Sequence, residues 1–148
     1  MLLHEVGHAV VAMSCGAGIT GFSFTHVDWG DADFTEKQLA WLYLNGTLLP
    51  FVVSLPFFCL PIRRYKIPVR AVSFGMIIGG WVELYSWTVE SFLLHERSDV
   101  SWFLLFSGAG TLTVRIISAV ICMIYTLALC CKCGMILVYS FFDKKIAV

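Results

Sequence analysis

Charge is scarce in this sequence. Only 14% of its 148 residues are Asp, Glu, Lys or Arg, and the two signs cancel to a net charge of zero. A basic field able to hold a nucleic-acid backbone is thereby excluded, and no basic run with interleaved aromatics occurs. No internal repeat or low-complexity linker breaks the chain, so residues 1–148 read as one domain. A positively charged segment is missing ahead of the first apolar run, and His4, Glu5 and His8 interrupt that run. Both features argue against a signal peptide. Cysteines are present, but Cys130-Cys131-Lys132-Cys133 has no partner pair at zinc-finger spacing. With Cys15, Cys59 and Cys122 they read as small apolar packing residues, an acylation site being the alternative.

What the chain has in quantity is apolar sequence. The hydrophobic fraction is 59%, more than a soluble domain of this size can hide. A bilayer is crossed by roughly 20 apolar residues in a helix. Segments of that kind run over 1–18, 38–62, 71–94 and 112–142, with a polar step and a short apolar helix within "HERSDVSWFLLFSGAG". Arg63, Arg64, Lys66 and Arg70 share one loop, and Lys144 and Lys145 lie near the end of the chain. The remaining loops hold Asp28, Asp31, Asp33, Glu36, Glu96 and Asp99. Basic loops stay cytoplasmic. The pattern predicts an all-α polytopic membrane protein with about four transmembrane helices, both termini inside, and a cell-membrane location. After the first helix, "GFSFTHVDWGDADF" alternates around Gly30 and predicts a short strand or hairpin.

The chemistry concentrates at His4-Glu5-Val6-Gly7-His8. On a helix, residues four apart share a face, so both imidazoles can reach one ion. Two neutral imidazoles suit zinc, and a Glu beside the first can act as general base without ligating. Ionisable groups inside an apolar helix are costly and usually functional. The packing alternative is that His4 and Glu5 simply meet water at a membrane surface.

The stretch "LLHEVGHAVVAMSCGAGITGFSF" resembles the site-2 protease family of intramembrane zinc metalloproteases. Gly7, Ala9, Gly16, Gly18 and the strand-like "GFSF" carry the resemblance, and "LNGTLLPF" looks like a loose form of that family's second element. The resemblance implies a zinc endopeptidase acting on membrane-protein or peptide substrates in the lipid bilayer. It also implies an acidic third ligand in a Leu-Asp-Gly context, a tripeptide this chain lacks. Asp99, opening a short helix after Ser98, is the first choice for that ligand. Glu83 is the second, on grounds of depth, with His26, Asp28 and His95 behind it. Asn45 is expected to bind substrate backbone or an oxyanion, or else to pack helices. Gly75 and Gly79 form a G-x-x-x-G face beside Gly80, which predicts close helix packing or room for a substrate helix. Only three residues precede His4, as in a chain truncated at its N-terminus or a minimal form open to cytoplasmic water. A non-enzymatic relative, acting as metal-binding scaffold or partner-binding subunit, is the alternative function. A transporter or channel is the third.

Overall fold

The computed structural model describes residues 2–60 and 67–146, without the side chains of 67 and 137–146. The first helix, α1, runs Leu2–Ser14. Its buried residues Glu5, His8, Ala9 and Ala12 fall three or four apart and form one stripe. Gly16 ends it at φ +89°, with Gly16 N–H donating to Met13 and Ala17 N–H to Ala12. This is a Schellman cap, and Ala12 and Ala17 meet in the core as its apolar contact. At 13 residues α1 is about 20 Å long, well short of the expected first span.

The predicted hairpin is present after α1. Strand β1 (Ile19–Phe22) pairs antiparallel with β2 (Val27–Trp29). The chain reverses at 23–26, where Ser23 N–H donates to His26 O at 2.8 Å. Gly30 N–H closes the far end by donating to Gly18 O. Phe24, expected in a strand, sits at the tip and is 71% exposed.

Helix α2 (Glu36–Cys59) opens with a capping box in which Thr35 and Gln38 each satisfy the other's backbone N–H. Helix α3 (Ile67–Leu93) follows it, and α4 (Asp99–Ser107) begins at the N-cap Ser98 and ends at Gly108 in the left-handed region. The long α5 (Thr111–Ile146) completes the chain. Among the described residues, α2 and the Thr111–Ile136 part of α5 are the two helices long and apolar enough to cross a membrane. Helix α3 has the length but carries Glu83, Ser86 and Glu90 on its second half. Of the basic loop used for orientation, Arg63, Arg64 and Lys66 lie outside the described residues.

Helix α2 sits at the centre, packed by α1, α3 and α4. Two close approaches set this arrangement. A Cβ on Gly7 would run into the backbone carbonyl of Asn45, so α1 and α2 touch backbone to backbone. On the other side, a Cβ on Gly80 would lie 2.6 Å from Ser54 Cβ, so α3 meets α2 through Gly80. Nothing lies within 4 Å of Gly75 or Gly79 among the described residues, and the expected G-x-x-x-G contact is not made there. The hydroxyl of Tyr125, on α5, lies 2.7 Å from Ser54 Oγ and 2.9 Å from Ile77 O at the same junction.

Helix α4 folds back along α2. Tyr43 of α2 stacks on Trp102 and Phe106 of α4 with ring centroids 6.0 and 6.1 Å away. Trp87 of α3 packs on Phe103 from the other side at 5.6 Å. Aromatic pairs at such spacing add to the area they bury. They bring the first turn of α4, and with it Asp99, to the level of α1.

Candidate metal centre

The i, i+4 pair on α1 has both imidazoles turned toward α2 and α4. His4 Nε2 and His8 Nε2 are 3.1 Å apart. Asp99 Oδ2 lies 2.9 Å from the first and 3.2 Å from the second. Donors about 2.0–2.1 Å from a tetrahedral zinc are about 3.3 Å from one another. The triangle has nearly that size. Among the described residues, His4, His8 and Asp99 are the group of ligand-type side chains that converges in this way.

The opposite ring nitrogens fix what these atoms can offer. His8 Nδ1 lies 2.8 Å from Leu42 O, and a carbonyl oxygen only accepts, so Nδ1 carries the proton. His4 Nδ1 lies 3.0 Å from Glu83 Oε2 and donates to it in the same way. Each neutral ring is left with a lone pair on Nε2. With both rings neutral, two lone pairs and a carboxylate oxygen face each other with no donor among them. Without a cation, burial lowers the His4 pKa, but the hydrogen bonds to Asp99 and Glu83 outweigh it and raise it to about 10, so that a proton on His4 fills the gap. A proton can bridge one pair of these acceptors; a divalent cation satisfies all three. Carboxylate and carbonyl partners behind the imidazoles are also what metal-bound histidines ordinarily have.

In the cation-free site, where a protonated imidazole donates to it, burial pushes the Asp99 carboxyl up, but the hydrogen bonds to His4 and His8 outweigh it and hold it down at about 2. Asp99 is therefore an anion at neutral pH. Its availability depends on the cap: Ser98 Oγ accepts from Ser101 N–H, so the N-cap duty falls on Ser98 and the Asp99 side chain is left for the histidines.

Room for the imidazoles comes from Gly46. A Cβ there would lie 2.6 Å from His8 Nε2 and 2.9 Å from His4 Cε1. Asn45, one residue earlier, donates its side-chain amide to Gly7 O at 2.9 Å. That bond ties α2 to α1, the helix-packing alternative for this residue. Glu5 is buried and lines a polar cavity of about 290 Å³ with His4, Thr47, Glu83, Glu90 and Asp99. No described residue hydrogen-bonds its carboxylate.

Of the other residues weighed for a third ligand, Glu83 stands behind His4. His26 pairs with Asp28 at 2.7 Å on the exposed hairpin, away from the cavity. His95 is exposed and lines an adjoining hollow with Glu90, Arg97 and Ser98, which the polar cavity shares, but does not itself line that cavity. The Cys130–Cys133 cluster converges on no metal geometry among the described residues. Sequence reasoning missed Gly46 and the Leu42 carbonyl. The Asn-Gly pair in an apolar helix was the available signal for Gly46; a backbone carbonyl leaves none.

Comparison with protein-family models, curated proteins and solved structures gives no match, so the site is read from its own geometry.

Proposed function

We propose that this chain is a multi-pass, membrane-embedded zinc endopeptidase of the site-2 protease type, cutting peptide bonds of membrane-protein segments. The observation that carries this reading is the convergence of His4 Nε2, His8 Nε2 and Asp99 Oδ2, with Glu5 on the adjoining cavity wall. His4, His8 and Asp99 would hold the ion, leaving a coordination position for substrate. When bound, zinc supplies Lewis acidity, lowering the pKa of water towards neutrality and polarising a carbonyl.

The protein groups divide the remaining work. Glu5 accepts a proton from water in the cavity as that water attacks the scissile carbonyl carbon. It returns the proton to the amine nitrogen as the carbon–nitrogen bond breaks. Glu83 and the Leu42 carbonyl keep His4 and His8 in the tautomer that presents Nε2. Asn45, through Gly7, holds the helix carrying the motif in register with Gly46. A substrate helix must be locally unwound, because its own hydrogen bonds shield the carbonyl. The short β1–β2 hairpin offers strand edges on which an extended segment can pair.

The test is zinc content and cleavage of an unwound membrane peptide by detergent-purified protein. Wild type is expected to hold about one zinc and to cleave. Glu5→Gln is expected to keep the zinc and lose cleavage, whereas His8→Ala loses both. Zinc without cleavage by the wild type would identify a metal-binding scaffold instead.

A further inference from the structure

A second cavity adjoins the polar one. It measures about 340 Å³ and lies among α2, α3, α4 and α5. Its walls are apolar, with Leu48, Leu84, Phe103, Val114 and Ile121 among them. Thr47 and Trp87 line both cavities, so the apolar space begins where the polar one ends. Both residues are buried. An apolar cavity of about 150 Å³ is already large enough to hold benzene.

We infer that this apolar cavity is the specificity pocket of the proposed peptidase, receiving a leucine- or phenylalanine-type side chain next to the scissile bond. The inference rests on the metal-site reading above and adds the class of residue that is cut. Adjacency decides the occupant. Thr47 and Trp87 are the shared wall, so only these two side chains stand between a backbone held beside His4 and Glu5 and the apolar space. The two cavities also divide by polarity as a peptide does. The polar one meets the backbone and water, with Glu5, Glu83, Glu90 and Asp99 on its wall. The apolar one offers a charged side chain no partner, and burying an unpaired charge is prohibitive. Acidic and basic residues are therefore rejected at this position, and glycine leaves the pocket empty.

The experiment titrates zinc-loaded protein in detergent with the hydroxamates of N-acetyl-glycine, -aspartate, -leucine and -phenylalanine, read by calorimetry. Leucine and phenylalanine hydroxamates are expected to bind at least about tenfold tighter than the glycine and aspartate forms. Val114→Phe, which fills the cavity from α5, is expected to level the series while zinc content is retained. Should that variant fold poorly, a leucine hydroxamate with a diazirine in its side chain tests the wild type directly. It is expected to label the walls of this cavity, on α5 within residues 113–121 or at Leu48, Leu84 or Phe103, and labelling confined to residues outside these walls overturns the pocket. Equal affinity across the series in zinc-loaded protein also overturns the pocket and leaves the metal reading standing. Purified protein that takes up no zinc overturns the metal reading, and this inference with it.

Discussion

Gly46 lies against His8 so closely that a Cβ on it would come within 2.6 Å of the Nε2 atom. The same Cβ would come within 2.9 Å of His4 Cε1, so one added methyl presses on both imidazoles. Gly46→Ala is therefore expected to displace the rings and weaken zinc binding by at least about tenfold, the scale of a disturbed ligand environment. Zinc titration by calorimetry measures this. Unchanged affinity would mean that the rings are not held where a metal needs them.

Glu83 offers a separate test of how the site is assembled. If it orients His4 through Nδ1, Glu83→Ala removes the partner but not the ligand. Zinc affinity should fall about 10–100-fold, with Glu83→Gln falling less because its amide oxygen still accepts. Stoichiometry at saturating zinc stays near one. If Glu83→Ala instead abolishes binding as fully as His8→Ala does, Glu83 is itself a ligand and Asp99 is not. The complementary variant, Asp99→Ala, is expected to lose stoichiometric zinc outright.

The glycines of α3 give a prediction about the fold. At Gly80 an added Cβ would lie 2.6 Å from Ser54 Cβ and 3.0 Å from the Tyr125 hydroxyl, while at Gly75 and Gly79 it would meet nothing within 4 Å. Gly80→Ala should destabilise the protein, because α2 and α3 must move apart; overpacking of this kind costs roughly 1–3 kcal/mol. Gly75→Ala and Gly79→Ala should be neutral or stabilising by up to about 1 kcal/mol, the helix-propensity gain. Thermal unfolding of the three variants side by side checks the contrast. Loss of stability at Gly75 as well would mean that this face is covered by a partner.

These residues also show what could be read from the sequence. The His4–His8 pair was legible because its geometry is local: four residues on a helix always share a face. The Ser98 start of α4 was legible for the same reason, and α2 through α5 lie close to the apolar runs. Asp99 was a choice among several acids, since its approach to α1 depends on Tyr43, Trp102 and Phe106 stacking across two helices. The length of the first helix was misjudged because apolar residues continue past Gly16, where a positive φ has already ended the helix. The hairpin was legible from the alternation, but not its turn, which lies at 23–26, where Ser23 and His26 close it through backbone and side chain. The G-x-x-x-G motif misled because spacing marks a smooth helix face without saying which neighbour arrives. The tightest contact falls one residue beyond it, at Gly80.

Lys132 carries the last prediction. It is almost fully buried on α5, where its ammonium donates to Phe58 O at 2.6 Å and Leu60 O at 2.8 Å. The final carbonyls of a helix have no intrahelical partners, and α2 ends at Cys59. Lys132 therefore caps α2 from another helix, with its charge favourably placed at the negative end of the helix dipole. Lys132→Met keeps the length and apolar stem of the side chain but takes the ammonium donor away from both carbonyls. Hydrogen bonds to a charged group contribute about 1.5–3 kcal/mol, so a loss of that order is expected, while zinc affinity should stay unchanged because the proposed ligands lie on α1 and α4. Lys132→Arg should recover part of the stability, since a guanidinium can also donate to two oxygens. Detergent-solubilised unfolding midpoints, read beside zinc titrations, test both halves. A Met variant as stable as wild type would show that the ammonium's desolvation cancels what its two hydrogen bonds supply.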